Sequence, residues 1–305
     1  MNGPVESFDI TANGLRFAVR ATGEGPLVLC LHGFPDSANT FDDLLPRLAA
    51  EGYRAVAPFM RGYAPTAAPR DGDCRVTTLG RDILGLADAL GSQRFSLVGH
   101  DWGSVIALTT AAMAPVRVER VVAAAVPPLR WFLANMRPAQ ILRSWYIGYF
   151  QLPGWPETHL GLSDGRFIEW LWRRWSPDWD FTEADIAPVR AALATRAARR
   201  AALGYYRGLP GALLSLRRAR RRRWLVGRPS APSLCVYGER DRCIGPEMWR
   251  GVTGEDCRIE GLPGGHFMHR EQPEAFARMV TDFLSAGGMN AGLRSGREAD
   301  AQRLA

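Results

Sequence analysis

The chain has 305 residues, 47% of them hydrophobic and 23% charged, which fits one large globular domain or two modest ones and excludes disordered or fibrous classes. No apolar run reaches the ~20 residues needed to span a bilayer, so a membrane-spanning protein is not expected. The net charge of +7 is carried entirely by arginine, since no lysine occurs; this reads as a compositional bias rather than a nucleic-acid or membrane surface. One basic run, LRRARRRRW, places Arg217 to Arg223 together, and it reads as a solvated helix end in preference to a polyanion patch. The five cysteines are scattered without C-x-x-C or metal-like spacing. The opening MNGPVESFDI has neither a basic nor an apolar signal region. A cytoplasmic location is the expectation.

In chain order, SFDITANGLRFAVRATG predicts two alternating strands around Asn13-Gly14, a two-residue hairpin signal. PLVLCLHG is a continuous apolar run, as in a strand buried on both faces of a parallel sheet. A helix is expected from Phe41 to Glu51, then a strand over YRAVAPFM. RDILGLADALG predicts a helix with Leu84, Leu86 and Leu90 on its apolar stripe, stopped at Gly91. FSLVG is another buried strand, VIALTTAAM a helix and RVVAAAVP a further strand. This alternation predicts an α/β fold, a mostly parallel twisted sheet with helices on both faces.

Beyond Pro127-Pro128 strand periodicity stops, and helical sequence rich in tryptophan (Trp131, Trp145, Trp155, Trp170, Trp172, Trp175, Trp179) continues to about Pro229. Alternation resumes with APSLCVYG as a strand, EMWRGV as a short helix, DCRIEGL as a strand and EAFARMVTDFL as a closing helix. The expected organisation is a core of 1–127 and 230–286, a helical cap of 128–229 inserted over the active site, and a disordered tail of 287–305.

Chemistry in open α/β sheets gathers at the carboxyl ends of strands. Four such ends carry suitable residues: HGFPD, GHDWGS, YGERDRC and GGHFMHREQPE. GHDWGS has the form of the strand–turn–helix elbow G-x-S-x-G, with Asp101 where serine usually stands. In chain order the four ends supply a nucleophile (Asp101), an acid (Asp241) and a base (His266), with His269 competing for the last role. A serine attacking saturated carbon would leave an ether, which water cannot cleave. A carboxylate leaves an alkyl ester, whose carbonyl water can attack. Asp101 therefore implies displacement at an sp3 carbon, with His266 activating water and Asp241 orienting the imidazole. The backbone N–H groups of Phe34 and Trp102 are the expected oxyanion donors.

From HGFPD through GHDWGS to GGHFMHREQP the sequence resembles the α/β-hydrolase-fold epoxide hydrolases. The resemblance implies two cap tyrosines that donate to the epoxide oxygen. SWYIGYFQLPG aligns Tyr146 with the first; GYYRG aligns Tyr206 with the second, Tyr205 being the weaker candidate. Tyr149 and Phe150, three and four residues beyond Tyr146, are expected on the same helix face, lining the pocket with Trp102. The family needs no cofactor or metal. The implied partners are a small apolar epoxide and water, with no nucleic acid and no membrane, and a homodimer is left open. Haloalkane and haloacid dehalogenases use the same Asp nucleophile and remain the alternative, though Phe34 stands where the former often place Asn and Trp102 where fluoroacetate dehalogenases place Arg. A non-catalytic ligand-binding member of the fold is a third reading. The loop FMRGYAP departs from the D-x-R-G-x-G of relatives at Phe59 and Ala64, which bears on substrate shape more than on mechanism.

Overall fold

The computed structural model describes residues 4–211, 231–252 and 257–286. The basic run Arg217–Arg223 and the tail 287–305 lie outside the described residues. Eight strands form one sheet: β1 (Glu6–Ala12), β2 (Leu15–Thr22), β3 (Leu27–Leu31), β4 (Arg54–Pro58), β5 (Phe95–His100), β6 (Val118–Ala124), β7 (Ser233–Gly238) and β8 (Cys257–Leu262), in the spatial order β1-β2-β4-β3-β5-β6-β7-β8. β1 and β2 form the expected hairpin, and Asn13 and Gly14 both have positive φ, as a two-residue type I′ turn requires. β2 joins β4 antiparallel, and every later pairing is parallel.

The parallel strands are apolar on both faces because each face has its own core. Along β3, Leu27, Leu29 and Leu31 enter one cluster while Val28 and Cys30 enter the other. On the first face lie α2 (Val76–Ala89), through Leu79, Ile83 and Leu86, and α3 (Trp102–Met113), through Ile106, Ala107 and Ala111. On the second lie α1 (Leu45–Ala50) and a closing helix over 273–286, through Leu45, Leu48, Phe276 and Val280. The helix expected from Phe41 is instead a 3-10 turn, Ala38–Phe41, followed by α1. Pro46 explains the break: it lacks an N–H and is tolerated only in the first turn of a helix. EMWRGV likewise forms only a 3-10 turn, Pro246–Trp249.

Between β6 and β7 run α4 (Leu129–Ala134), α5 (Pro138–Arg143), α6 (Trp145–Tyr149), α7 (Trp155–Gly161), α8 (Arg166–Trp175), α9 (Glu183–Ala192) and α10 (Arg196–Arg207). This helical segment is tied to the loops at the carboxyl ends of the strands. Trp172 Nε1 donates to Pro35 O (2.9 Å), Tyr205 Oη to Arg61 O (2.9 Å) and Gln140 Nε2 to Cys243 O (2.8 Å), while Trp175 O accepts from the His266 N–H (3.2 Å). No described helix is long and apolar enough to cross a membrane.

One buried ion pair anchors this arrangement. Arg61, in the loop after β4, meets Asp82 of α2 through two 2.6 Å bonds, with 5% and 1% of the residues exposed. Asn13 Nδ2 adds a third bond to Asp82 (2.7 Å). Removing one charge from such a pair strands the other in a dry environment, so Asp82→Asn is expected to lose about 3–5 kcal/mol of stability. Urea denaturation read by tryptophan fluorescence checks this; a loss below about 1 kcal/mol would mean that Arg61 finds another partner or reaches water.

Candidate active site

The turn after β5 explains its glycines. Asp101 has φ 52° and ψ −117°, a backbone shape that costs a non-glycine residue ~1–3 kcal/mol and that a tightly packed elbow imposes. A Cβ on Gly99 would lie 2.2 Å from Gly103 O, and one on Gly103 would lie 1.8 Å from Leu31 O. The elbow closes only with hydrogen at both positions, and Asp101 is thereby thrust out at the end of the sheet.

Its carboxylate meets amide donors on one side and an imidazole on the other. Phe34 N–H donates to Asp101 Oδ1 at 2.8 Å. A Cβ on Gly33 would fall 2.4 Å from that same oxygen and 2.7 Å from Trp102 N, so the Trp102 amide borders the same small space. His32 braces this loop: its Nε2 accepts from Met60 N–H (3.0 Å), which leaves Nδ1–H to donate to Gly33 O (3.0 Å). Burial holds His32 down to about 4, so the ring stays neutral. Gly33→Ala is therefore expected to crowd the carboxylate out of its amide cradle and lower turnover by ~10²-fold or more, with the fold retained. Steady-state kinetics beside a circular dichroism spectrum check it; full activity would mean the space is not used.

On the other side, His266 Nε2 stands 3.5 Å from Asp101 Oδ2, and His266 Nδ1 is 2.9 Å from Asp241 Oδ2. Asp241 Oδ1 is held by the N–H groups of Cys243 (2.6 Å) and Ile244 (2.9 Å), which fixes the direction of the carboxylate. Burial alone would push the imidazole pKa down, but the Asp241 and Asp101 carboxylates together outweigh it and raise it to about 10. The loop carrying His266 is itself pinned, with Glu271 Oε1 accepting from Gly265 N–H (2.8 Å) and Ser176 Oγ from Phe267 N–H (3.0 Å).

Above the carboxylate lies an aromatic box. Tyr206 is edge-on to Trp102 (5.1 Å between centroids), Phe34 (5.4 Å) and Tyr146 (5.8 Å), and Phe150 sits against Phe34 (5.2 Å). Tyr146 also packs on Trp175, which in turn meets His266. Tyr146 Oη is 3.2 Å from Cys243 Sγ, and Tyr206 Oη is buried without a hydrogen-bond partner. Burial raises both phenols well above 10, reinforced by the nearby Asp101 charge, so both keep their protons. The arrangement joins a cradled carboxylate, an imidazole backed by a second carboxylate, and two neutral phenols packed among aromatic side chains.

Residues 26–273 match the α/β-hydrolase fold family, which is most of the chain. The chain belongs to that family. It is 29% identical over 287 residues to the AB hydrolase superfamily protein YfhM of Bacillus subtilis, covering 90% of this chain and 96% of that one. To Epoxide hydrolase 4 of Homo sapiens it is 29% identical over 293 residues, covering 90% and 77%. The crystal structure of Epoxide Hydrolase A from Mycobacterium thermoresistibile superposes with a TM-score of 0.78 at 26% identity, covering 92% of this chain and 98% of that one. This α/β-hydrolase is thus a hydrolase similar to proteins named epoxide hydrolases.

Within this α/β-hydrolase, the structure brings Asp101, Asp241, His266, Phe34, Trp102, Tyr146, Tyr206 and Phe150 together. Tyr149 is a correction. Its hydroxyl bonds His159 Nδ1 (2.9 Å), and its ring packs on Trp145 and Phe167 toward the outside. α6 ends at Tyr149, so the face that Tyr146 presents inward is completed by the cap residue Phe150 alone. Tyr205 is buried one position from Tyr206 but is spent on the Arg61 carbonyl. His269 is bonded to Thr40 Oγ1 (2.7 Å), away from Asp241.

Sequence reasoning missed Trp175 and Cys243 as walls of the site and His32 as its brace. The only signal was adjacency: Cys243 is two residues past Asp241, and His32 opens HGFPD. Nor did it foresee that Asp36 and His100 meet His269, the only group of three His, Cys, Asp or Glu among the described residues close enough to hold a metal ion.

Proposed function

We propose that this hydrolase opens an epoxide to a vicinal diol through an alkyl ester on Asp101. The observation that carries the reading is a carboxylate at the elbow with two buried tyrosines beside it, Tyr206 packed on Phe34 and Trp102, which cradle Asp101, and Tyr146 packed on Tyr206. The helical segment is then a cap over the site; of its expected extent, 128–229, residues 212–229 lie outside the described residues. Five free cysteines favour a cytoplasmic location.

Asp101 attacks a ring carbon, the C–O bond breaks, and its electron pair goes to the ring oxygen, which takes a proton from Tyr146 or Tyr206. Esterification removes the Asp101 charge that helps to keep His266 protonated, so the imidazole pKa falls from about 10, the Nε2 proton passes to solvent and Nε2 becomes a usable base. His266 then takes a proton from water as the hydroxide adds to the ester carbonyl. The oxyanion forms beside the Phe34 and Trp102 amides. Collapse expels the diol oxygen, which takes the proton back from His266. The acid proton left on Asp101 returns to the tyrosine, and with Asp101 charged again His266 takes a proton back from solvent.

A single turnover with enzyme in excess, run in heavy-oxygen water with an aryl epoxide, tests the ester. The diol of the first turnover should carry only ordinary oxygen, and the label should enter the peptide containing Asp101. Label in that first diol would mean direct attack by water and would overturn the ester. Absence of diol across terminal and internal epoxides would overturn the substrate assignment.

A further inference from the structure

We propose that Asp36, His100 and His269 form a binding site for one divalent transition-metal ion of the zinc class, buried behind His266. The three residues come from separate elements: Asp36 from the loop after β3, His100 from the last position of β5, and His269 from α11 (Met268–Glu271). They are only 2%, 1% and 4% exposed. Asp36 Oδ2, His100 Nδ1 and His269 Nδ1 lie within 4.8 Å of one another, the first two 3.8 Å apart. Each of these three atoms is buried and has no hydrogen-bond partner.

The outer hydrogen bonds decide what the inner atoms are. His100 Nε2 is 2.9 Å from the His266 carbonyl. A carbonyl only accepts, so Nε2 carries the proton and Nδ1 presents a lone pair. His269 Nε2 is 2.7 Å from Thr40 Oγ1, and the Thr40 hydroxyl has the Asp36 carboxyl beside it to take its own proton. Thr40 then accepts from His269, and Nδ1 of His269 is also a lone pair. Two imidazole nitrogens and the Asp36 carboxyl therefore converge; burial pushes that carboxyl up to about 7, and once it is ionised all three atoms are acceptors, so an ion entering the site displaces the Asp36 proton. Unpaired buried acceptors cost free energy that a positive centre between them removes.

Several features select a metal ion of this class. Histidine ligands ordinarily give their second N–H to a carbonyl, hydroxyl or carboxylate, as both do here. Two nitrogens and one oxygen suit zinc, cobalt or nickel; magnesium and calcium prefer oxygen alone. Tetrahedral zinc holds its ligand atoms ~3.3–3.5 Å apart, so His100 and Asp36 need to close by only ~0.4 Å, and no pair by more than ~1.4 Å, through side-chain rotation. The neighbouring Arg270 is engaged by Asp185 (2.5 Å) and is not free to fill the role. Because His100 holds the His266 carbonyl, the ion would stiffen the loop that presents His266. The site does not depend on the reaction proposed for Asp101.

The test uses the full chain, stripped with chelator and loaded with Zn²⁺ or Co²⁺ both by dialysis and by refolding from urea, so that burial does not decide the result. Elemental analysis should give one equivalent of Zn²⁺. Co²⁺ should show visible bands of nitrogen and oxygen ligation without thiolate charge transfer. Losing an outer partner of a metal ligand weakens binding ~10–100-fold, so His269→Gln and Asp36→Asn should each weaken it by at least ~100-fold. Cys257→Ser controls for the thiol pair Cys235–Cys257, whose sulfurs are 3.6 Å apart, and should bind as the parent does. Unchanged binding in His269→Gln, thiolate charge transfer abolished by Cys257→Ser, or no retained metal by either loading route would each overturn the site. Should the variants fail to fold, imidazole nitrogen shifts in the zinc-loaded parent decide: two histidines shifted at Nδ1 uphold the site, and none overturns it.

Discussion

Replacing His266 with glutamine should stop turnover after the ester has formed. The glutamine side chain keeps a polar group near Asp241 but cannot take a proton from water, and loss of a general base costs ~10²–10⁴-fold. Mixed with an aryl epoxide, the His266→Gln enzyme should gain the mass of one epoxide, located by peptide mapping on Asp101. Asp101→Asn should gain none. The pH profile is a second reading of the same step. Hydrolysis requires neutral His266, so kcat of the parent should rise with pH along a limb centred below 10, because the value of about 10 belongs to the enzyme whose Asp101 is still charged. That limb should vanish from the residual rate of His266→Gln. A stable adduct elsewhere, or full activity without His266, would remove Asp101 and His266 from the roles assigned to them.

Much of the site was legible because it lies where local signals are strongest. The hairpin followed from Asn13-Gly14, the buried strands from unbroken apolar runs, and the elbow from small residues packed around Asp101 between a strand and a helix. Asp241 and His266 were legible as strand-end residues in a known chain order, although 25 residues separate them. What escaped depends on packing between distant segments. Thr40 and His269 stand 229 positions apart, and no periodicity links them. Trp175 reaches His266 only because α8 lies across the strand ends. Tyr149 departs from the expectation because, of the two residues that helical spacing brings near Tyr146, only Phe150 continues its inward side, whereas Tyr149, one residue round the helix, is held by His159.

The second large effect concerns the phenols. Tyr146→Phe and Tyr206→Phe should each lower epoxide turnover, since removing one donor to a developing oxyanion costs ~10²–10³-fold, and the double variant should be close to inactive. The singles need not be equal. Tyr146 Oη contacts Cys243 Sγ, whereas Tyr206 Oη has no hydrogen-bond partner and is free to turn toward a ligand, so Tyr206→Phe should fall nearer the larger value. Neither change leaves an unpaired buried charge, and both preserve the ring contacts of the box, so thermal stability should stay within about 1 kcal/mol. Burial keeps both phenols protonated well above pH 10, so neither should add an alkaline limb below that value. A halide leaves as a stable anion and takes no proton from a phenol. Haloalkane turnover that survives the double variant while epoxide turnover is absent from the parent would reassign the enzyme to displacement of halide by the same Asp101. Loss of epoxide opening together with loss of the mass adduct, by contrast, places the tyrosines in the first step, because without protonation of the ring oxygen the ester cannot form.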